Sequence, residues 1–440
     1  MKRAKRLACL LLAAGWLLAA SGCEWLPFTT LDQLMRPPKP ADPEARALLA
    51  VLEKDLREQG RVQFLQPSEG PNRGAVTFAD LDADGSRDAV VFYNTIAAGG
   101  VQGANFMAVY AKRNGKWENR CSTKIDGEEL LSLEPLDLKN DRQLSLLVCW
   151  RTGESRYFQI YEAGLAERGG VSALFPENRG PYIYSKLGVA DLTGNGRKEI
   201  ACVLIGAGAE RVNRALLYAL NKEGRFGLAG ETTLDPGIYA CQGVAALPLA
   251  NGREALLFDG DKSSGMVTEA LLWDPAQQAL SAPLHDEGGS ANTVAYRNLK
   301  LPMRLASGGG LPEIPAQYPM EGSEIILNGN RRQFFLTRWF TFDEAMNLRV
   351  TADHIIYLNT HQWVQMPAEL AAQVTAYSNE ESVVHFLRWN GKRAGEELFW
   401  MHNAGGENTV LIRGNLTQAG REAGINIEFL LDVNETQRTD

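Results

Sequence analysis

Histidine is scarce in this chain, with five among 440 residues. That leaves little room for a His-based metal centre or a histidine acid–base site. His354 and His361 are seven apart with a strand pattern between them, so they are not an HExxH pair. No Gly-x-Ser-x-Gly elbow and no Gly-x-x-x-x-Gly-Lys-Ser/Thr phosphate loop occurs. Bases are outnumbered, 45 against 53 acids, for a net charge of -8. This excludes nucleic acid as the main partner, since phosphate binding needs a basic surface. The longest apolar run, 7–20, is too short to span a bilayer comfortably. With 45% hydrophobic and 22% charged residues, the chain is neither a disordered tail nor a multi-span membrane protein.

What is present begins at the N-terminus. Lys2, Arg3, Lys5 and Arg6 precede the apolar run, which ends in Ala20-Ser21-Gly22-Cys23. Charge, run length and small residues before a cysteine resemble the signal peptide and lipobox of bacterial lipoproteins. The resemblance implies cleavage after residue 22, a diacylglycerol lipid on Cys23, and attachment to the outer face of the cytoplasmic membrane. Loss of residues 1–22 removes four bases and no acid, taking the charge from -8 to -12. Residues 23–42 then read as a tether, because Pro27, Pro37, Pro38 and Pro40 favour an extended spacer. Asp42-Pro43-Glu44 is a helix-start signal, followed by Leu48, Leu52 and Leu56 at helical spacing, and Gly60 closes the segment.

Residues 61–330 repeat. The clearest unit runs from Ala75 through Asp80-Leu-Asp82-Ala-Asp84-Gly85-Ser86-Arg-Asp88 into an apolar run. A second lies at Asp137-Leu-Lys139-Asn140-Asp141. The third is Asp191-Leu-Thr193-Gly-Asn195-Gly196-Arg-Lys-Glu199. Fainter copies lie at Asn251-Gly252-Arg253-Glu254 and at Gly308-Gly309-Gly310-Leu-Pro-Glu313. The final loop positions, 88, 145, 199, 254 and 313, are separated by 57, 54, 55 and 59 residues. Each interval has room for about four short strands, and Asn114-Gly115 is a hairpin signal inside the first. Four-stranded units in series predict an all-β chain, a β-propeller of six or seven blades with seven favoured, behind a short N-terminal helix. Residues 331–440 lack the acidic loop and read either as divergent blades or as a small separate domain.

Asp-x-Asp-x-Asp-Gly-x-x-Asp between two strands resembles the FG-GAP/VCBS-type repeat of the integrin-α-like propeller. Together with the lipobox, the chain is similar to VCBS-repeat lipoproteins of Gram-positive bacteria. The match covers roughly 61–315 and rests on loop and spacing, because the FG-GAP tripeptides are mostly absent. It implies Ca²⁺ at the first loop, held by Asp80, Asp82, Asp84 and Asp88 with a carbonyl near Ser86. Alternating carboxylates on a tight loop supply several of the oxygens this hard cation takes. The competing reading is a loop in which the acids accept backbone N–H groups. The third loop, with Asp191, Thr193, Asn195 and Glu199, offers a weaker second metal site. Lys139 stands at a would-be ligand position in the second loop.

Trp117, Trp150, Trp273, Trp339, Trp363 and Trp389 could line a sugar- or peptide-binding face, although packing between blades is the commoner use of such residues. Cys121, Cys149, Cys202 and Cys241 allow three pairings. Cys149 and Cys202 face opposite sides of their strands, which favours free buried thiols. With no catalytic signature, the expectation is a non-catalytic binding or scaffold module, anchored to the membrane and holding a protein, peptide or cell-wall glycan. The alternative is an envelope glycan-active enzyme, a hydrolase or lyase with its site in the propeller channel. Charged side chains converging in that channel would favour the enzyme.

Overall fold

The computed structural model describes residues 43–57, 61–96, 102–163, 170–174, 182–207, 212–249, 252–285, 292, 294–305, 311–327, 330–343, 347–357, 362–380, 383–402 and 416–429. Cys23, Asp42, Gly60 and the fifth repeat's Gly308-Gly309-Gly310 lie outside them. The chain divides into two units, Met1–Arg61 and Val62–Asp440. In the first, the helix Pro43–Arg57 starts on proline with Glu44 in its first turn, where an acid complements the helix dipole. Leu48, Leu52 and Leu56 line up along it.

The second unit is built of antiparallel sheets that follow one another along the chain. The third sheet shows the pattern most simply: Lys186–Ala190, Glu199–Ala207, Val212–Leu220 and Phe226–Thr233 pair in sequence as a meander. The second sheet runs Glu129–Leu136, Ser145–Thr152 and Ser155–Ala163, with the short Val171–Ala173 and Tyr182–Ile183 on the last of these. The fourth runs Ile238–Pro248, Glu254–Lys262, Gly265–Asp274 and Ala279–Ser281. In the first, Val76–Ala79, Asp88–Ile96, Gln102–Arg113 and Lys116–Ile125 repeat the order. Its last hairpin turns on Asn114 and Gly115, both at positive φ (51° and 75°), the backbone that an Asn-Gly turn supplies.

The repeated loops share one geometry. Positive φ falls three and five residues after the leading acid in each: Ala83 and Gly85, Asn140 and Arg142, Gly194 and Gly196. A leucine follows the leading acid, and Leu81, Leu138 and Leu192 are all buried. Backbone bonds tie each loop to the next copy: Leu144 N–H donates to Leu81 O (2.9 Å), Lys198 N–H to Leu138 O (3.0 Å) and Glu254 N–H to Asp191 O (2.8 Å). Between these ties lie apolar layers. One joins Val90 and Met107 of the first sheet to Leu146 and Trp150 of the second. Another joins Phe158 of the second to Ile200 and Phe226 of the third. A third joins Leu217 to Phe258 and Leu271 of the fourth. The second, third and fourth sheets therefore bury both faces against their neighbours, which explains the near-continuous burial of Ser145–Trp150.

This stacking corrects the argument about cysteines. Cys149 and Cys202 do point to opposite sides of their own sheets, but opposite sides of neighbouring sheets face each other. Both thiols lie in the same apolar layer. They are nonetheless free, as are Cys121 and Cys241.

Beyond the fourth sheet the pattern changes. Arg304–Leu305, Pro312–Pro319, Phe335–Phe342, Leu348–Tyr357, Gln362–Met366 and Asn426–Phe429 form one six-stranded sheet, closed by a strand from far along the chain. Val374–Glu380, Val383–Trp389 and Ala394–His402 form a separate three-stranded sheet, packed on the previous one through Leu336, Ile355, Phe386 and Phe399. Among the described residues, the repeated meander accounts for four sheets, and the six- and three-stranded sheets that follow depart from it.

Candidate active site

The acidic loops are first of all turns. Asp80 accepts from the N–H groups of Asp84 (3.1 Å) and Gly85 (3.0 Å). Asp137 accepts from Asp141 (3.2 Å) and Arg142 (3.0 Å), and Asp191 from Gly194 (2.8 Å), Asn195 (3.1 Å) and Gly196 (2.8 Å). The last acid closes the loop from the other side: Asp88 accepts from Leu81 N–H (2.9 Å), and Glu199 from Leu192 N–H (2.8 Å) and the Thr193 hydroxyl (2.8 Å). Asn195 also donates to Glu199 (3.3 Å), so the third loop's proposed ligands bond to one another and to their own backbone. Lys139 turns away to pair with Glu162.

In the first loop, Asp80, Asp82 and Asp88 each bring an oxygen within 4.8 Å of the others. Asp84 is not one of these three, and its carboxylate accepts from Ser86 N–H (2.6 Å). Burial, then the neighbouring Asp84, raises the Asp82 carboxyl. Burial pushes Asp88 up to about 6, against the Leu81 N–H and with help from the other three acids. Crowded carboxylates that resist charging are a donor set suited to a hard cation.

A second group of functional side chains was not legible as a motif. A cleft of about 570 Å³ is lined by the second, third and fourth sheets and by Glu69, from a connection between strands of the first. Glu69 follows the strand Arg61–Leu65 of the first sheet, and its N–H donates to Leu131 O (2.7 Å), which fixes it beside the second sheet. Its carboxylate forms a two-pronged pair with Arg156 at the start of Ser155–Ala163 (Nη1–Oε2 3.0 Å). Lys186 begins the third sheet, and Tyr239 and Cys241 lie in the first strand of the fourth. Tyr239 is 55% exposed, and Lys300 donates to its hydroxyl (3.0 Å). Ile183, on the same lining, is also exposed.

Two half-buried ionisable groups influence each other's charge here: Lys186, which lines the cleft, and Glu134, which does not. Burial lowers Lys186; Cys241, Glu69 and Glu134 oppose the shift and Arg156 adds to it. Burial raises Glu134, with Lys186 opposing. Among the described residues neither side chain has a hydrogen bond or a close ion pair of its own, whereas Arg156 is already satisfied by Glu69. The Cys241 thiol is pushed up to about 12 by burial and the Cys149 thiol to about 11, so neither is a ready nucleophile.

Of the six tryptophans, Trp117, Trp150, Trp273, Trp339 and Trp363 are buried. Trp389 alone of these is half-exposed, lining a separate cleft with Glu321, Arg388 and Arg393. The exposed aromatic of the other cleft is instead a tyrosine, for which no periodicity in the sequence gave a signal.

No protein-family model matches this chain, and no curated protein matches it. Among solved structures it is similar to a protein from Lactobacillus plantarum, at 6% identity and TM-score 0.28, over 75% of this chain and 85% of that one. It is similar to an exotype rhamnogalacturonan lyase at 10% identity and TM-score 0.29, over 70% and 74%. A third is fructan 1-exohydrolase IIa from Cichorium intybus, at 11% identity and TM-score 0.27, over 64% of this chain and 56% of that one. Where a chain without catalytic activity was expected, the neighbours named by activity are a lyase and an exohydrolase. The chain is all-β and antiparallel, and its charged side chains converge at one cleft.

Proposed function

We propose that this protein is a glycan-active enzyme working in the Tyr239 cleft. The observation that carries this reading is the exposed Tyr239 in a cleft also lined by Glu69, Arg156 and Lys186, with the half-buried Glu134 near enough to Lys186 for each to influence the other's charge. An aromatic ring offers a face for a sugar ring, and a carboxyl that holds its proton is suited to general-acid work. In hydrolysis the glycosidic C–O bond breaks and Glu134 delivers its proton to the leaving oxygen. Water adds its oxygen to the anomeric carbon and releases its proton to solvent, from which Glu134 is protonated again. The test is incubation of the chain from residue 23 with neutral and acidic cell-wall oligosaccharides, with products read by mass spectrometry. New reducing ends are expected, and no turnover of any glycan would overturn the reading.

The scaffold for this site we take to be a β-propeller of the FG-GAP/VCBS type, held on the outer face of the cytoplasmic membrane by a lipid on Cys23. Cys23→Ala is expected to move the protein from the membrane fraction to the soluble fraction; continued membrane retention would count against the anchor. Asp80, Asp82 and Asp88 fit Ca²⁺, which would neutralise the first loop and tie it together. Titration calorimetry is expected to show one calcium ion bound, with binding lost in Asp82→Ala; heat unchanged by that substitution would remove the site.

A further inference from the structure

Core packing does not account for Trp389. Trp117, Trp150, Trp273, Trp339 and Trp363 are buried, while Trp389 is half-exposed at the end of Val383–Trp389. Its ring is nonetheless held in place. Gly322 lies against it at positive φ (67°), and a Cβ added there would collide with three atoms of the ring. The indole Nε1–H donates to Glu321 Oε2 (3.4 Å), and the Trp389 backbone N–H donates to Gln373 O (2.7 Å). The ring lines a cleft of about 490 Å³, already positioned before anything enters, which lowers the ordering cost of binding. This cleft shares no lining residue with the one that holds Tyr239.

The rest of the lining sets the ligand's chemistry. Ala372 is its one aliphatic side chain among the described residues, so an apolar ligand finds little surface beyond the indole. The charges nearly cancel. Arg388 pairs with Glu396 (2.9 Å), which leaves Arg393 against Glu321, so an anion meets no excess of cation. What remains is a flat ring edged by mixed polar groups. Arg388, Arg393 and the Asn390 amide donate, Glu321 accepts, and the exposed Gln373 does both. The Asn390 Oδ1 is already taken by the N–H groups of Lys392 and Arg393 (3.0 Å each), which fixes this rim. A pyranose offers the complement: a flat face of C–H groups for the ring, and around it hydroxyls that donate and accept. We infer that the Trp389 cleft is a separate glycan-binding site that takes a neutral sugar ring against the indole. The inference stands whether or not the Tyr239 cleft is catalytic.

The test is calorimetry on the full chain with neutral trisaccharides of glucose, galactose, mannose and N-acetylglucosamine, and with sulfate as an anionic probe. At least one sugar is expected to bind. Its affinity should fall about tenfold or more in Trp389→Ala and stay within about threefold in Trp389→Phe, which keeps a ring. Glu134→Gln should leave this binding intact. No sugar bound, or sugar binding unchanged in Trp389→Ala, would overturn the inference. Binding lost in Glu134→Gln assigns the sugar to the Tyr239 cleft and also overturns it. So does sulfate bound with dependence on Arg393 where no sugar binds, since the cleft is then an anion site. Should Trp389→Ala fail to fold, which its far-ultraviolet dichroism would show, the indole N–H resonance of Trp389 replaces it. That resonance, identified by its absence from Trp389→Phe, is expected to shift as sugar is added to the wild-type chain. A resonance that stays in place overturns the proposal.

Discussion

Replacing Asp259 with alanine is expected to destabilise the second unit by about 3–5 kcal/mol, the range for leaving one member of a buried ion pair without its partner. Asp259 and Arg297 are both fully buried. Asp259 accepts from Arg297 Nη2 (2.8 Å), the Thr268 hydroxyl (2.6 Å) and Met303 N–H (2.7 Å). Arg297 also donates to Thr268, to Ala295 O (3.1 Å) and to Leu301 O. Burial works against the guanidinium, and Asp259 is the largest influence opposing it. Alanine removes that offset and strands three donors. Against a typical total of about 5–15 kcal/mol, this is a large fraction. Urea denaturation should show a lower midpoint at similar slope. The double variant Asp259→Leu with Arg297→Met should recover much of the loss, because the buried charge itself is gone. A single-variant loss below about 1 kcal/mol would show that water reaches the pair.

Glu134→Gln is expected to lower kcat by about 10²–10⁴ on the glycan found in the turnover assay, the usual contribution of a positioned proton donor. Stability should change little, since Glu134 has no hydrogen bond or close ion pair among the described residues to lose. The sign of the pH effect follows from burial, which holds the proton on Glu134 to higher pH than an ordinary carboxyl. Wild-type activity should therefore fall on the alkaline side as Glu134 ionises, later than for an exposed glutamate. The residual activity of Glu134→Gln should lack that alkaline limb. An unchanged limb would assign it to another group and remove Glu134 as the acid.

The loops were legible because their chemistry is local. A leading aspartate can reach only the N–H groups three to five residues ahead, so Asp80, Asp137 and Asp191 announce the same turn wherever they stand. The weaker fourth copy is held differently: Glu254 accepts from Asp191 N–H (2.7 Å) and pairs with Lys198, both from the preceding loop. Its missing leading acid hid this, because its partners lie more than fifty residues away. The cysteine argument failed for the same reason, since facing within one sheet says nothing of the sheet packed against it.

By itself, then, the sequence determined the all-β class, the acidic turns, the interval of 54 to 59 residues and the shortage of conventional catalytic motifs. These follow from alternation, turn chemistry and composition, which act over a few residues. Only the tertiary structure decided that Glu69, Arg156, Lys186 and Tyr239 line one cleft, with Glu134 near enough to Lys186 to influence its charge. They come from three sheets and the connection that holds Glu69, and occupy no common position in the repeat. What brings them together is the burial of both faces of these sheets against their neighbours, a cooperative packing that no short window of residues encodes.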